Sequence, residues 1–170
     1  LQGNTNITHS INFYYKSAER FEAAEKLFSS SPAFGVFSQE MAAAGAEPYY
    51  NNLTSYLITE GDGRGANYGV TFVSDVNDPV VYFNAFKKMS SKMFKESFGG
   101  EAYLLRQQLT GGGNVTQSVS VYFDSSSSAL DFLANYINTP QFGEFIEEAG
   151  DTFTPVRTYM EQALLQYNPD

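Results

Sequence analysis

The chain has 170 residues, of which 42% are hydrophobic, and it contains 15 Phe, 12 Tyr and no Cys. The absence of cysteine excludes disulfides, thiolate metal sites and cysteine nucleophiles. The formal net charge of −9 argues against a nucleic-acid binder, because such proteins neutralise phosphates with Lys and Arg. No run approaches the roughly 20 apolar residues that a membrane span needs, so we expect a soluble protein with no membrane partner.

The start of the chain bears on its compartment. It begins at Leu1 rather than at a Met. Removal of an export signal or of an expression tag would leave such a start, so we expect a cytoplasmic protein or an exported one. The lack of cysteine is compatible with either redox environment.

The first predicted elements are a strand and two helices. Residues 10–16 alternate apolar and polar side chains, which predicts a half-buried strand. Ser17 then stands where a helix N-cap belongs, and helix formers follow it. Pro32 fits poorly inside a helix but well in a first turn, so we expect a break near 29–31 and a second short helix. Gly45 follows that helix, where a left-handed position favours glycine.

The later elements follow a similar order. Residues 70–75 predict a strand that precedes a helical stretch. A further strand is expected over 118–124, then a helix over about 126–137. After a break at Asn138 and Thr139, a second helix is expected over 140–149.

Two glycine-rich segments separate these elements. Residues 60–65 and 110–114 each lie between predicted strands. Neither segment matches the phosphate-binding pattern GxxxxGK[ST] or opens a helix. Because glycine accepts the positive φ of tight turns, we predict a hairpin at each.

The chain repeats itself internally. The run 11–17 (INFYYKS) matches 119–125 (VSVYFDS), and at the same offset 31–37 (SPAFGVF) matches 139–145 (TPQFGEF). A weaker copy of the strand lies at 70–75. We therefore predict one domain, 1–170, built from three β-α-β pseudo-repeats at about 8–60, 68–110 and 118–167.

This order of elements predicts an α+β fold. Two consecutive units give β-α-β-β-α-β, which is the ferredoxin-like antiparallel sheet with helices on one face. A chain so rich in aromatic residues is expected to cover the other face as well. A partner chain in a homodimer or the additional third unit would supply that cover.

The repeated motif resembles a known family. The stretch Thr139-Pro-Gln-Phe-Gly-Glu-Phe145, and the similar one from Ser31, resemble a helix of antibiotic-biosynthesis-monooxygenase-like domains in the dimeric α/β-barrel superfamily. The resemblance implies a ligand cavity between sheet and helices or inside the barrel. Members include cofactor-free oxygenases, haem-degrading enzymes and binding proteins. The family's histidine before the Ser-Pro segment is missing here, since Asn138 and Ser30 precede the matching positions.

The alternation of apolar and polar residues along the strands predicts a candidate ligand-binding face. If the apolar positions of the strands face the helices, polar and tyrosine side chains line the opposite face, as in small-molecule pockets. Packing against a partner's sheet explains the same pattern. Arg106, on a later strand, could supply charge to such a cavity. The candidate residues are Asn12, Tyr14, Thr71, Ser120, Tyr122 and Arg106.

The charged residues give weaker hypotheses. His9 is the single histidine; it is either an exposed or capping residue, or a haem ligand or general base. We predict no metal site. Lysines crowd one helix and acidic residues crowd another, with no basic companion visible for the acidic set. Each set is explained by a solvated face. The alternative for the lysines is a docking patch for an acidic partner, and for the acidic residues it is a Ca²⁺ site, although the regular ligand spacing of an EF-hand loop is missing. The sets are Lys87, Lys88, Lys92 and Lys95, and Glu144, Glu147, Glu148 and Asp151.

Two function classes follow. The first is a non-catalytic protein that binds a small apolar or aromatic molecule without a cofactor, or that has a structural role. The alternative is a cofactor-free monooxygenase or related enzyme acting on an aromatic or polycyclic substrate. The first is favoured because no acid–base pair, metal constellation or nucleophile elbow is visible.

Overall fold

The structure, a computed structural model, describes residues 7–49, 51–96 and 99–167. The chain divides into a helical unit, Thr5–Asn51, and a sheet unit, Asn52–Asp170. The prediction of a single domain of three pseudo-repeats stays a prediction. No helix within the described residues combines the length and the apolar character needed to cross a membrane.

The sheet unit is a five-stranded antiparallel sheet with three helices. Its strand order is β1-β3-β4-β2-β5. The elements are β1 (Leu53–Gly61), β2 (Tyr68–Val76), α3 (Pro79–Glu96), β3 (Ala102–Thr110), β4 (Gln117–Phe123), α4 (Ser126–Asn135), α5 (Pro140–Ala149) and β5 (Phe153–Gln162). The predicted α+β class and the antiparallel ferredoxin-like sheet are confirmed.

The core lies between one face of this sheet and α3, α4 and α5. Val70, Leu105 and Phe123 are fully buried on that face, and they pack with Ala129 of α4 and Phe145 of α5. Burying each such large side chain contributes roughly 1.5–3 kcal/mol. The expectation that apolar strand positions face the helices is confirmed for β4, because Val119, Val121 and Phe123 all belong to this core.

The predicted helix starts are confirmed in both units. In the helical unit, α1 is Ala18–Ser30 and α2 is Pro32–Ala43. The Ser17 hydroxyl accepts the backbone N–H of Arg20. At the start of α5, the Thr139 hydroxyl accepts the backbone N–H of Phe142. Such caps satisfy N–H groups that have no partner inside the helix.

A glycine with positive φ follows α2, as predicted, and another follows α5. Gly45, after α2, has a φ of 77°, and Gly150, after α5, has a φ of 51°. Only glycine adopts this region without a steric penalty from Cβ.

The strand expected over residues 10–16 is wrong for the described part of the chain. Residues 7–15 are described and form no strand. A strand requires a neighbour that pairs with its N–H and C=O groups. The described part of the helical unit contains only helices and irregular segments, so this segment finds no strand partner within the unit.

One of the two predicted hairpins is also wrong. The loop at 110–114 joins β3 to β4, which pair directly, so that hairpin is confirmed. The loop at 60–65 joins β1 to β2, and these strands are not neighbours: β1 pairs with β3, and β2 lies between β4 and β5. A glycine-rich segment predicts a turn, but it does not predict whether the two strands joined by that turn are neighbours in the sheet.

Candidate functional site: an aromatic cavity between the sheet and its helices

A cavity of about 190 Å³ lies within the sheet unit, between the sheet and the helices. It adjoins the core, and its walls come from strands β2–β5, from α3, α4 and α5, and from the turn after α4. Aromatic rings dominate these walls. They are Phe72, Tyr82, Phe86, Tyr103, Phe132, Tyr136, Phe142, Phe145 and Phe153.

One wall of the cavity is a face of α3. The helix starts at Asp78, whose carboxylate accepts the backbone N–H groups of Val80 and Val81 at 3.1 Å. From that start, side chains spaced three and four residues apart share one face. That face carries the lining residues Tyr82, Phe86, Met89 and Met93.

The opposite wall is formed by α5 and β5. The ring of Phe145 lies 5.6 Å from that of Tyr82 and 5.5 Å from that of Phe153, centroid to centroid. Phe142 lies 5.9 Å from Phe145 and 5.1 Å from Tyr136. These separations are typical of tilted and edge-to-face pairs, which hold the rings in defined orientations.

The polar groups of the cavity are mostly hydroxyls. Ser74 forms a hydrogen bond with Tyr82, and Ser90 forms one with Tyr103. Burial raises the pKa of Tyr82 to about 12. The hydrogen bond with Ser74 acts in the opposite direction and offsets only part of the effect of burial. Burial also raises the pKa of Tyr103 and of Tyr136.

The ionisation state of the lining side chains limits the chemistry that the cavity offers. At neutral pH its tyrosines are uncharged, so they can donate or accept a hydrogen bond but cannot act as bases. Among the described residues that line the cavity there is no histidine and no carboxylate, while Arg157 contributes a cation. The cavity is thus suited to holding an uncharged or anionic ring compound rather than to abstracting a proton.

Four of the six predicted site residues come together, but on the other face of the sheet. Thr71 and Ser120 are cross-strand partners, and their hydroxyl oxygens are 2.7 Å apart. Arg106 donates from Nη2 to the same Ser120 oxygen. Tyr122 shares this face and its ring covers Gly69, where an added Cβ would meet it at 3.5 Å. A ligand-binding role for this polar cluster stays a prediction.

The remaining predicted residues lie in the helical unit. Asn12 and Tyr14 occupy the segment without strand structure, and both are exposed. They therefore do not belong to a sheet face, contrary to expectation. His9 is exposed too, and its Nδ1 lies 3.0 Å from the Thr8 hydroxyl. No group of three or more metal-ligating side chains occurs in the described part of the chain.

The lysines and the acidic residues pair with each other. Lys92 of α3 lies 2.8 Å from Glu144 of α5, and Lys88 contacts both Glu144 and Glu148. The expectation that the acidic set has no basic companion is wrong, because α3 and α5 pack side by side. These pairs are exposed, so each contributes little. The side chain of Lys95 lies outside the described residues.

The cavity residues were missed at the sequence level, although one signal was present. The aromatic and methionine positions of α3 recur with helical spacing, which marks a buried face. That pattern cannot separate a filled core from a lined cavity. The distinction depends on how completely α5 and β5 fill the space opposite.

No protein-family model matches the sequence, and no curated protein matches it. Two solved structures are similar to the fold. One is from Fusobacterium nucleatum subsp. nucleatum and is provisionally named a monooxygenase; it has a TM-score of 0.54 and 16% identity, over 84% of this chain and 63% of that one. The other is an anthrone oxidase-like protein, with a TM-score of 0.52 and 14% identity, over 86% of this chain and 70% of that one.

The chain therefore spans less than two thirds of the first of these structures. At such low identity the likeness concerns the fold. In that sense the resemblance read from the Ser/Thr-Pro-x-Phe-Gly motif is confirmed. The sheet unit has a ferredoxin-like α+β fold, similar to the fold of these two structures.

Proposed function

We propose that this protein binds a small aromatic molecule in the cavity between its sheet and helices α3 to α5. The observation that carries the proposal is the cavity itself, about 190 Å³ lined mainly by aromatic rings. Small-molecule sites combine such apolar walls with a few directional polar groups. In this cavity the directional polar groups are the hydroxyls of Ser74, Tyr82, Ser90 and Tyr103.

The volume limits the ligand. An engineered apolar cavity of about 150 Å³ binds benzene, whereas drug-sized ligands occupy about 300–1,000 Å³. A cavity of about 190 Å³ therefore suits one aromatic ring, or two small fused rings. A three-ring compound would require the helices to move apart.

The polar groups of the cavity restrict which functional groups the ligand can carry. Neutral tyrosine hydroxyls at Tyr82 and Tyr136 pair well with a phenol hydroxyl or a quinone carbonyl. The Arg157 guanidinium, which also lines the cavity, favours a carbonyl or a weak acid over an amine. A ligand with a phenolic or quinone-like ring best matches both the tyrosine hydroxyls and the guanidinium.

Calorimetric titration with phenol and 1-naphthol tests the proposal. Val119 lines the cavity and is only 7% exposed, so Val119→Phe places a ring in the space that the ligand would use. The matched control is Val80→Phe, the same substitution at a position of α3 that is 68% exposed. We expect the first variant to lose binding and the second to keep it. Absence of binding by the unmodified protein, or equal binding by both variants, would contradict the proposal.

A cofactor-free oxygenase is the second candidate. It is supported by the names of the two similar structures, a provisional monooxygenase and an anthrone oxidase-like protein. Since the described lining residues include no base, the substrate would have to ionise by itself before it reacts with oxygen. Oxygen uptake with a one-ring quinol and with a naphthalene-sized quinol, measured for the unmodified protein and for Val119→Phe, tests this candidate. Uptake that the cavity variant abolishes would favour the enzyme; ligand binding without uptake would favour the binding protein.

A further inference from the structure

An open apolar groove borders the aromatic cavity of the sheet unit. Its volume is about 440 Å³. Unlike the cavity, the groove is lined mainly by aliphatic side chains, which come from α4 and from the turn that follows it. The lining residues are Leu130, Leu133, Ala134, Tyr136, Ile137 and Thr158.

The groove follows a second apolar side of α4. The Ser125 hydroxyl caps this helix by accepting the backbone N–H of Ser128 at 3.1 Å. Ala129 lies on the side of the helix that packs into the core, and it is fully buried. Leu130 and Ile137 share a different side, because residues seven apart lie two turns above each other, and they are 46% and 54% exposed. Exposed apolar side chains that lie together mark ligand-binding grooves in many proteins.

The groove and the cavity meet at two side chains. Tyr136 and Thr158 line both spaces, and both are half-buried. The ring of Tyr136 lies 5.1 Å from that of Phe72 and 5.1 Å from that of Phe142, centroid to centroid, and both of these rings line the cavity. Thr158 of β5 is the cross-strand partner of Phe72. The aromatic space therefore borders the aliphatic one at Tyr136 and Thr158.

One pair of polar groups lies at the other end of the cavity. Ser90 of α3 forms a hydrogen bond with Tyr103 of β3, and both residues line the cavity. In the sheet, β4 and β2 separate β3 from β5, which carries Thr158. Three strand spacings correspond to about 14 Å. A ligand whose polar end reaches the Ser90–Tyr103 pair therefore directs its other end towards Thr158 and the groove.

We propose, building on the aromatic-binding function proposed above, that the ligand is a phenolic or quinol-type ring that carries an aliphatic chain. The ring occupies the cavity, whose volume of about 190 Å³ leaves little space for a further large group. The chain passes between Tyr136 and Thr158 and lies in the groove. Aliphatic walls that offer no charge are suited to a hydrocarbon, whose burial requires no directional partner.

The length of the groove limits the length of the chain. Leu130 and Ile137 are seven residues apart, which is about 10 Å along a helix that rises 1.5 Å per residue. An extended octyl chain has a similar length. We therefore expect affinity to increase with chain length up to octyl and to level off beyond it.

Calorimetric titration with phenol and a series of 4-alkylphenols tests the proposal. Full burial of one CH₂ group is worth about fourfold in affinity. Because the groove is open, about half of the chain surface is expected to be buried, so 4-butylphenol should bind about 10- to 20-fold more tightly than phenol. An affinity that continues to rise at the same rate beyond octyl would contradict a groove of this length.

A substitution in the groove separates the chain from the ring. Leu130→Gln changes a groove residue that does not line the cavity, and glutamine has a similar helix propensity. We expect this variant to lose most of the gain given by the butyl chain while it binds phenol as the unmodified protein does. The matched control is Leu109→Gln, the same substitution at a position of β3 that is 52% exposed, which should keep both affinities.

The outcomes distinguish this proposal from the aromatic-binding function. Phenol binding without a gain from the butyl chain would overturn the proposal and leave the aromatic-binding function intact. An equal gain in the unmodified protein and in both variants would also overturn it, because the chain would then lie outside the groove. Failure of phenol and of all the alkylphenols to bind would refute both.

Discussion

Replacing Phe145 with Ala should strongly destabilise the sheet unit. Phe145 is 4% exposed, and its ring lies within 6 Å of those of Tyr82, Phe142 and Phe153. Removing a buried Phe side chain typically costs about 3–5 kcal/mol, which includes a term for the space left behind. Because an existing cavity adjoins this ring, the vacated volume joins it, and we expect a loss of about 4 kcal/mol in the free energy of unfolding.

Urea unfolding followed by far-ultraviolet circular dichroism measures this loss. The control is Ile146→Ala, the next residue of α5, which is 42% exposed and should lose about 1 kcal/mol. The dependence on urea should keep its slope, so that only the midpoint moves. If Phe145→Ala is no more destabilising than its neighbour, Phe145 does not hold α3, α5 and β5 together, and the reasoning about the cavity wall fails.

The other predictions concern single polar groups. Thr71→Val should lower the free energy of unfolding by about 1 kcal/mol, because it removes the buried hydroxyl 2.7 Å from Ser120; an unchanged urea midpoint would count against that bond. Lys92 lowers the pKa of Glu144, so its stabilising effect is present above the ordinary glutamate pKa of 4.5 and is lost in more acidic solution. Glu144→Gln should therefore melt with a weaker dependence on acid pH than the unmodified chain, and an unchanged profile would argue against the pair. The raised pKa of Tyr82, about 12, predicts stability that is lost as the pH rises from about 10 towards 12; Tyr82→Phe should reduce this loss and remove one late step from the ultraviolet titration of tyrosine.

Several features could be predicted from the sequence because they depend on neighbouring residues. The helix starts at Ser17 and Thr139 follow from a hydroxyl that reaches an N–H three residues ahead. The faces of β4 follow from alternation, which correctly placed Val119 towards the helices and Ser120 away from them. The resemblance of the repeated motif correctly predicted the fold.

Other features could not, because they depend on residues far apart in the chain. The strand predicted over residues 10–16 has the right pattern but finds no strand partner in the helical unit. The acidic side chains at Glu144 and Glu148 find lysines only because α5 packs beside α3. Likewise, the turn at 60–65 joins β1 to β2, but β2 pairs with β4 and β5 rather than with β1.

The sequence by itself determined where several helices begin and which side of strand β4 is apolar. Each of these depends on contacts within one turn or one strand. Only the tertiary structure decided that an aromatic cavity remains beside Phe145 and that the predicted polar cluster at Ser120 lies on the opposite face. Both results depend on strand order and on how completely two distant helices fill the space over the sheet, and local patterns do not encode these.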